Sequence, residues 1–250
     1  IVTTLCSFCS RTIDVGSIIG GILSPFKHPS DIIISRYKQY LYGDATLQDL
    51  PSDNEGPRFT IYATSLQTGA SVRFSKPSIA EYHIGLITSP TTFLATAVTA
   101  SSAFPPVLCP VIIESTPDKW KQLKGADLFD NELLKQKLYL GDGGIYDNLG
   151  LERIWDNYNT VLVSDAGAPF KIKPDPIMIR FSQISRTLRT LDIAIEQTRS
   201  LRKRKLVEDF KSKVRLGAYW GIATQIEDYR LEESGFRGPM VKDNAITKSM

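Results

Sequence analysis

The stretch YLGDGGIYDNLGLE, Tyr139 to Glu152, follows an apolar run and sets Asp142 against Gly143 and Gly144, with Asp147 and Asn148 close behind. Glycine pairs cost backbone entropy and suit places where the chain turns sharply or lets another group approach. A carboxylate on such a turn caps a helix and fixes the turn, or it accepts a proton in catalysis. Residue type and position leave both open. Calcium is excluded by spacing, because a calcium loop needs carboxylates at alternate positions and a closing glutamate.

A carboxylate base needs a nucleophile within hydrogen-bond reach. The usual serine device, G-x-S-x-G on a strand-to-helix elbow, does not occur in the chain. GSIIG at Gly16–Gly20 has the wrong spacing, and TGASVR lacks the closing glycine. Neither histidine, His28 or His83, stands in a triad context. Cys6 and Cys9 make one C-x-x-C, but Cys109 is the only other cysteine. That number gives neither a disulfide framework nor a tetrahedral metal set, and it suits a reducing compartment. No metal and no cofactor are expected.

The elements that must position Asp142 read as α/β. SDIIISRYKQYLYG is a short amphipathic helix with Asp31 in its first turn and Gly43 to stop it. RFTIYATSL and ASVRFSK pair as a hairpin across QTG, and PVLCPVIIE, KLYLG and TVLVSDAG are further strands. NLGLERIWDN and the long stretch from SQISRTL to DFKSKV are helical, and the residues between Glu114 and Lys137 form a surface excursion. Alternating helices and strands predict a central sheet that is mostly parallel or mixed. Ligand sites in such sheets lie beyond strand ends. Asp142 stands at one strand end, and Asp165 at another is its competitor.

Residues 84–113 carry no charge, a length that could span a bilayer. Their many Ser and Thr residues, with Pro90, Pro105, Pro106 and Pro110, instead predict a buried helix from Thr91 to Ala103. The 250 residues are 42% hydrophobic and 23% charged, with a net charge of +3. Those values are ordinary for a soluble globular protein and give no support to nucleic-acid binding. IVTTLCSFCS lacks the basic lead of a signal peptide and reads as a chain entered in its middle.

Four segments in order, ATLQDLP (Ala45–Pro51), PRFTIYATSLQTGASVRFS (Pro57–Ser75), AVTASSAFPPVLCPV (Ala97–Val111) and YLGDGGIYDNLGLE, together resemble the patatin-like phospholipase family. The resemblance runs over roughly residues 10 to 230 and is carried most specifically by the D-G-G motif. It implies a three-layer α/β/α domain over residues 1–236, N-terminally truncated, with a tail at 237–250. It also implies a lipid acyl hydrolase using a Ser–Asp dyad without histidine, a phospholipase A or esterase of lipid degradation. Asp142 then matches the dyad aspartate, Gly143 and Gly144 complete its motif, and Asn148 supports the turn. The glycine-rich oxyanion loop and the serine would precede Ile1, so this chain alone is expected to be inactive. The alternative is a non-catalytic relative that binds lipid or protein.

Ser101 and Ser102 are expected to be structural. The basic run of Arg199, Arg202, Lys203, Arg204 and Lys205 is a candidate for peripheral contact with anionic lipid. The expected location is cytoplasmic, at most peripheral to a membrane.

Overall fold

In a computed structural model of the chain, residues 28–155, 157–167, 170–172 and 182–222 are described, with Cys6, Phe8 and Ser10 besides. Cys9, GSIIG and the expected tail at 237–250 lie outside the described residues. Helix α1 (Pro29–Tyr37) runs on as a π-turn to Tyr42 and stops at Gly43, whose φ of 56° is in the left-handed region. This is the helix that Asp31 and Gly43 predict.

The main sheet has seven strands in the order β5-β7-β1-β2-β3-β4-β6. They are β1 (Ile61–Ser65), β2 (Ser71–Phe74), β3 (Ser78–Glu81), β4 (Gly85–Thr88), β5 (Val111–Glu114), β6 (Trp120–Lys121) and β7 (Lys137–Asp142). Every neighbouring pair is antiparallel. The expected three-layer α/β/α arrangement around a mostly parallel or mixed sheet is therefore overturned. The reason is local. A parallel pair needs a crossover of a dozen or more residues, whereas only residues 66–70, 75–77 and 82–84 join β1 to β4. Such connections permit a meander and nothing else.

The sheet curls so that its two edges approach one another. Edge strands β5 and β6 are joined by residues 115–119 alone. The Trp120 indole N–H donates to Ser115 Oγ and to the Lys135 carbonyl, each at 2.9 Å. Lys135 belongs to α3 (Glu132–Gln136), so the supposed surface excursion contains the closure of the curl.

The register sorts side chains onto two faces. Ala63 opposes Val72 and Asp142, Ile79 opposes Phe74 and Ile87, and Leu140 opposes Val111. All of these apolar residues except the half-buried Ile87 are core residues, and they face α2 (Leu94–Ser101). Ala95, Ala97 and Ala100 of α2 are fully buried. Small side chains let that helix lie close to the strands. The buried helix expected over 91–103 is thus present. Among the described residues no helix is long and apolar enough to cross a membrane.

After β7 come two short helices, α4 (Gly143–Asp147) and α5 (Glu152–Trp155). Then β8 (Thr160–Asp165) pairs in parallel with β9 (Leu216–Gly221) across the long helix α6 (Gln183–Lys211). The α/β pattern holds in this small unit alone. Its core is Leu151, Val161, Val163 and Leu206, separate from the core of the main sheet.

Two arginines one turn apart on α6 hold buried aspartates, Arg199 within the small unit and Arg202 across to the main-sheet unit. Arg199 Nε and Nη2 donate to Asp165 Oδ2 at 2.9 and 2.7 Å, at the end of β8. Arg202 Nη1 lies 3.3 Å from Asp147 Oδ2, on the helix that follows β7. Both aspartate side chains are 1% exposed. Removing one partner of a buried pair costs about 3–5 kcal/mol, because the other charge is left without compensation. Arg199→Met should lower the unfolding free energy by that amount, measured by urea denaturation. Arg204→Met, at an exposed position of the same helix, should stay within about 0.5 kcal/mol. Equal losses in the two variants would contradict the buried pairing.

Candidate active site at the end of β7

Leu138, Leu140 and Asp142 alternate on β7, and their partners place all three on the core face. The first two are fully buried; Asp142, at the sheet's end, is half-buried. Its backbone is pinned from both sides. Asp142 N–H donates to the Ala103 carbonyl at 2.9 Å, and Thr64 Oγ1 donates to the Asp142 carbonyl at 2.7 Å. The strand end is therefore fixed by the exit of α2 and by β1.

The glycines have separate reasons. A Cβ on Gly143 would stand 2.5 Å from the Tyr62 carbonyl oxygen, a backbone atom that cannot give way. A Cβ on Gly144 would meet Asn148 Oδ1 at 2.8 Å and Asp142 Oδ1 at 3.0 Å. Gly143 thus lets α4 lie against β1, and Gly144 leaves the space beside the carboxylate clear.

Asp142 is the N-cap of α4, and Gly144 N–H donates to its Oδ1 at 2.6 Å. That is its carboxylate's one hydrogen bond among the described residues. Burial pushes its pKa above the ordinary carboxylate range, and only the Gly144 N–H opposes the rise. No cation among the described residues contributes.

Asp165 is the opposite case. Burial alone would raise its pKa, but bonds from Tyr219 OH at 2.6 Å, from Arg199 and from Gly167 N–H at 2.9 Å outweigh it. Its pKa lies below the usual range, while the Tyr219 hydroxyl is pushed up to about 12, by burial first and then by Asp165. A carboxylate so saturated is a poor proton acceptor. Of the two strand-end aspartates, Asp142 is the one whose pKa is raised and whose carboxylate is left with little compensation.

Asn148, expected to brace the turn, is exposed, and its side chain makes no hydrogen bond among the described residues. Asp147 instead braces the loop from α4 to α5, accepting from Leu149 N–H at 3.2 Å and Glu152 N–H at 2.8 Å. Sequence reasoning passed over Asp147 because nothing in residue type tells which of two adjacent polar residues turns inward. Ser102 Oγ bonds back to the Val98 and Thr99 carbonyls of its own helix, a structural use. Cys6 is exposed and Cys109 half-buried, both as free thiols. Among the described residues no three His, Cys, Asp or Glu side chains gather as a metal site.

A cleft of about 300 Å³ lies between Phe104, Asn148, Gly167, Phe170, Arg189 and Glu196, near the turn but not lined by Asp142 itself. A larger one of about 620 Å³ lies away from the turn, around Thr92, Thr96 and Lys121. Phe104 directly follows the carbonyl that holds Asp142, and Asn148 stands over Gly144. The volume of the smaller cleft lies at the lower end of small-ligand sites. Comparison of the chain with protein-family models and with curated proteins finds no match.

The two aspartates should affect stability with opposite signs of pH dependence. A raised folded pKa gives a contribution that is present below the unfolded value and lost as pH rises through the folded one. A depressed pKa gives one that is present above the unfolded value and lost as pH falls through the folded one. Between about pH 3 and pH 7, the stability of Asp142→Asn relative to the parent should therefore rise, and that of Asp165→Asn should fall. Chemical denaturation at both pH values measures this. The same sign for both variants would contradict the assignment.

Proposed function

We propose that Asp142 is the general base of a serine-dependent carboxylic ester hydrolase acting on lipid esters, the patatin-type activity that the sequence resemblance implies. The serine and the oxyanion donors are assigned to a segment preceding Ile1. The antiparallel sheet lends this reading no weight; it rests on the site. One observation carries it: a glycine-flanked, half-buried carboxylate on the core face of a strand end, its pKa raised and no cation beside it among the described residues.

In this reading Asp142 takes the serine proton as Oγ attacks the ester carbonyl. The proton then passes to the departing alkoxide, and water, deprotonated by the same carboxylate, hydrolyses the acyl intermediate. Partial desolvation raises the basicity of the carboxylate for the first step and lets the acid form donate in the second.

The short Gly144–Asp142 contact favours a second reading, in which Asp142 serves only as a helix cap. The protein is then a non-catalytic relative that binds lipid or protein. Asp142→Asn separates the two, since an amide oxygen still accepts from Gly144 but takes no proton. In protein carrying the upstream serine segment, turnover of a short-chain chromogenic ester per folded molecule should fall by about 10²–10⁴-fold. Retention of most of the activity excludes the base role.

The peripheral, cytoplasmic location and the lipid contact belong to the same proposal, with the basic run now divided. Arg199 and Arg202 are bound to Asp165 and Asp147. Lys203, Arg204 and Lys205 are exposed, with Lys203 over the Tyr219 ring and Lys205 paired to Asp209. Binding to vesicles should require anionic lipid, weaken with salt, and be lost on charge reversal at Lys203 and Arg204. Equal binding to neutral and anionic vesicles would exclude the contact.

A further inference from the structure

Helix α4 has five residues, two of them glycine at its start. A segment that short has no helical stability of its own. Something outside it must fix where it lies, and with it the direction of Asp142, its N-cap. At its start, Thr64 Oγ1 of β1 and the Ala103 carbonyl hold the Asp142 backbone, and Gly143 lies against the Tyr62 carbonyl. These contacts fix the backbone at the strand end and do not reach the far end of α4. The other end of α4 is held by a buried charge pair.

There Asp147 is 4% exposed and accepts from two backbone N–H groups in the loop leading to α5. Arg202 reaches it from α6, and Arg202 Nη2 also donates to the Tyr146 carbonyl at 3.1 Å. The guanidinium carbon lies 5.8 Å from the centre of the Tyr146 ring. One arginine thus grips two consecutive residues of α4 by charge, hydrogen bond and ring. Tyr146 OH in turn donates to Glu152 Oε1 at 3.1 Å.

The gripping residue is itself immobilised. Three residues earlier Arg199 is bound to Asp165, and four residues later Leu206 is fully buried in the second core. Arg202 therefore cannot follow α4 if α4 drifts. Its planar fork can hold a carboxylate and a carbonyl together in a fixed geometry, which a lysine ammonium reproduces only in part.

We infer that Arg202 is a positioning residue: through Asp147 and the Tyr146 carbonyl it locks α4 against α6, and this lock holds the Asp142 carboxylate at its place on the strand end. The catalytic consequence rests on the proposed base role of Asp142, whereas the lock itself does not. The second unit of the chain then serves as a brace for a site in the first.

The test follows Asp142 directly, in the 250-residue chain, by the pH titration of its side-chain carboxyl carbon in NMR. Burial raises the parent midpoint, so a loosened turn, wetter around Asp142, should bring it down toward the ordinary value. Arg202→Met and Asp147→Asn should each lower it, and the double variant should lower it no further than either, as for groups acting through one contact. Arg202→Lys should fall between parent and Met. If Arg202→Met does not fold, Arg202→Lys alone decides the matter. Arg204→Met should leave the midpoint unchanged. In serine-containing protein the Arg202 variants should lose roughly 10–100-fold in kcat with KM nearly constant. A parent-like midpoint in folded Arg202→Lys or Arg202→Met, or additive shifts in the double variant, would overturn the lock. A moved midpoint together with full activity in Asp142→Asn would keep the lock and sink the base role.

Discussion

Ala63 of β1 faces Asp142 of β7 across an antiparallel ladder, and this register places the carboxylate on the face that the core occupies. Slip the ladder by one residue and Asp142 would point to solvent while Leu138 and Leu140 lost their burial. Burial of those two leucines and of Val111 and Ile113 opposite them stabilises the register. Each fully buried side chain of that size contributes about 1.5–3 kcal/mol. The apolar packing of β7 therefore also sets the electrostatics of its last residue.

Around that register the chain handles its buried carboxylates in contrasting ways. Asp165 and Asp147 each receive an arginine from α6, and Glu81 is satisfied by Thr68 Oγ1 at 2.7 Å and Ile84 N–H at 2.6 Å. Among the described residues Asp142 receives one backbone N–H and no countercharge. A group left so poorly compensated reduces stability at neutral pH, a cost that structural carboxylates in the same chain avoid. Such a departure from the local rule marks a candidate for function.

How far the sequence disclosed this differs by element. Asp142 was legible because an apolar strand followed by D-G-G leaves few conformations, and the long helix was legible from its period. The first hairpin was legible from its turn, QTG. The class of the sheet was not. The run SIAEYHIGLIT is a second hairpin whose turn, Tyr82–Ile84, lacks the usual glycine or asparagine pair, so nothing in it announces a reversal between β3 and β4. β6 is two residues long and carries no pattern at all. Without those strands, helices and strands seem to alternate and suggest crossovers that the short loops forbid. Likewise, the inward turn of Arg199 and Arg202 cannot be read from RSLRKRK, where five cations look alike until their partners are in place.

The proposed function requires that the Asp142 carboxylate, in its basic form, activate a serine. The most direct measurement is the pH dependence of serine labelling by an organophosphonate in protein carrying the upstream segment. The account predicts a labelling rate that rises with pH through a single midpoint. That midpoint lies above the ordinary carboxylate range, coincides with the Asp142 titration, and disappears in Asp142→Asn. A labelling rate that is flat across that range, or one whose midpoint survives in Asp142→Asn, would contradict it.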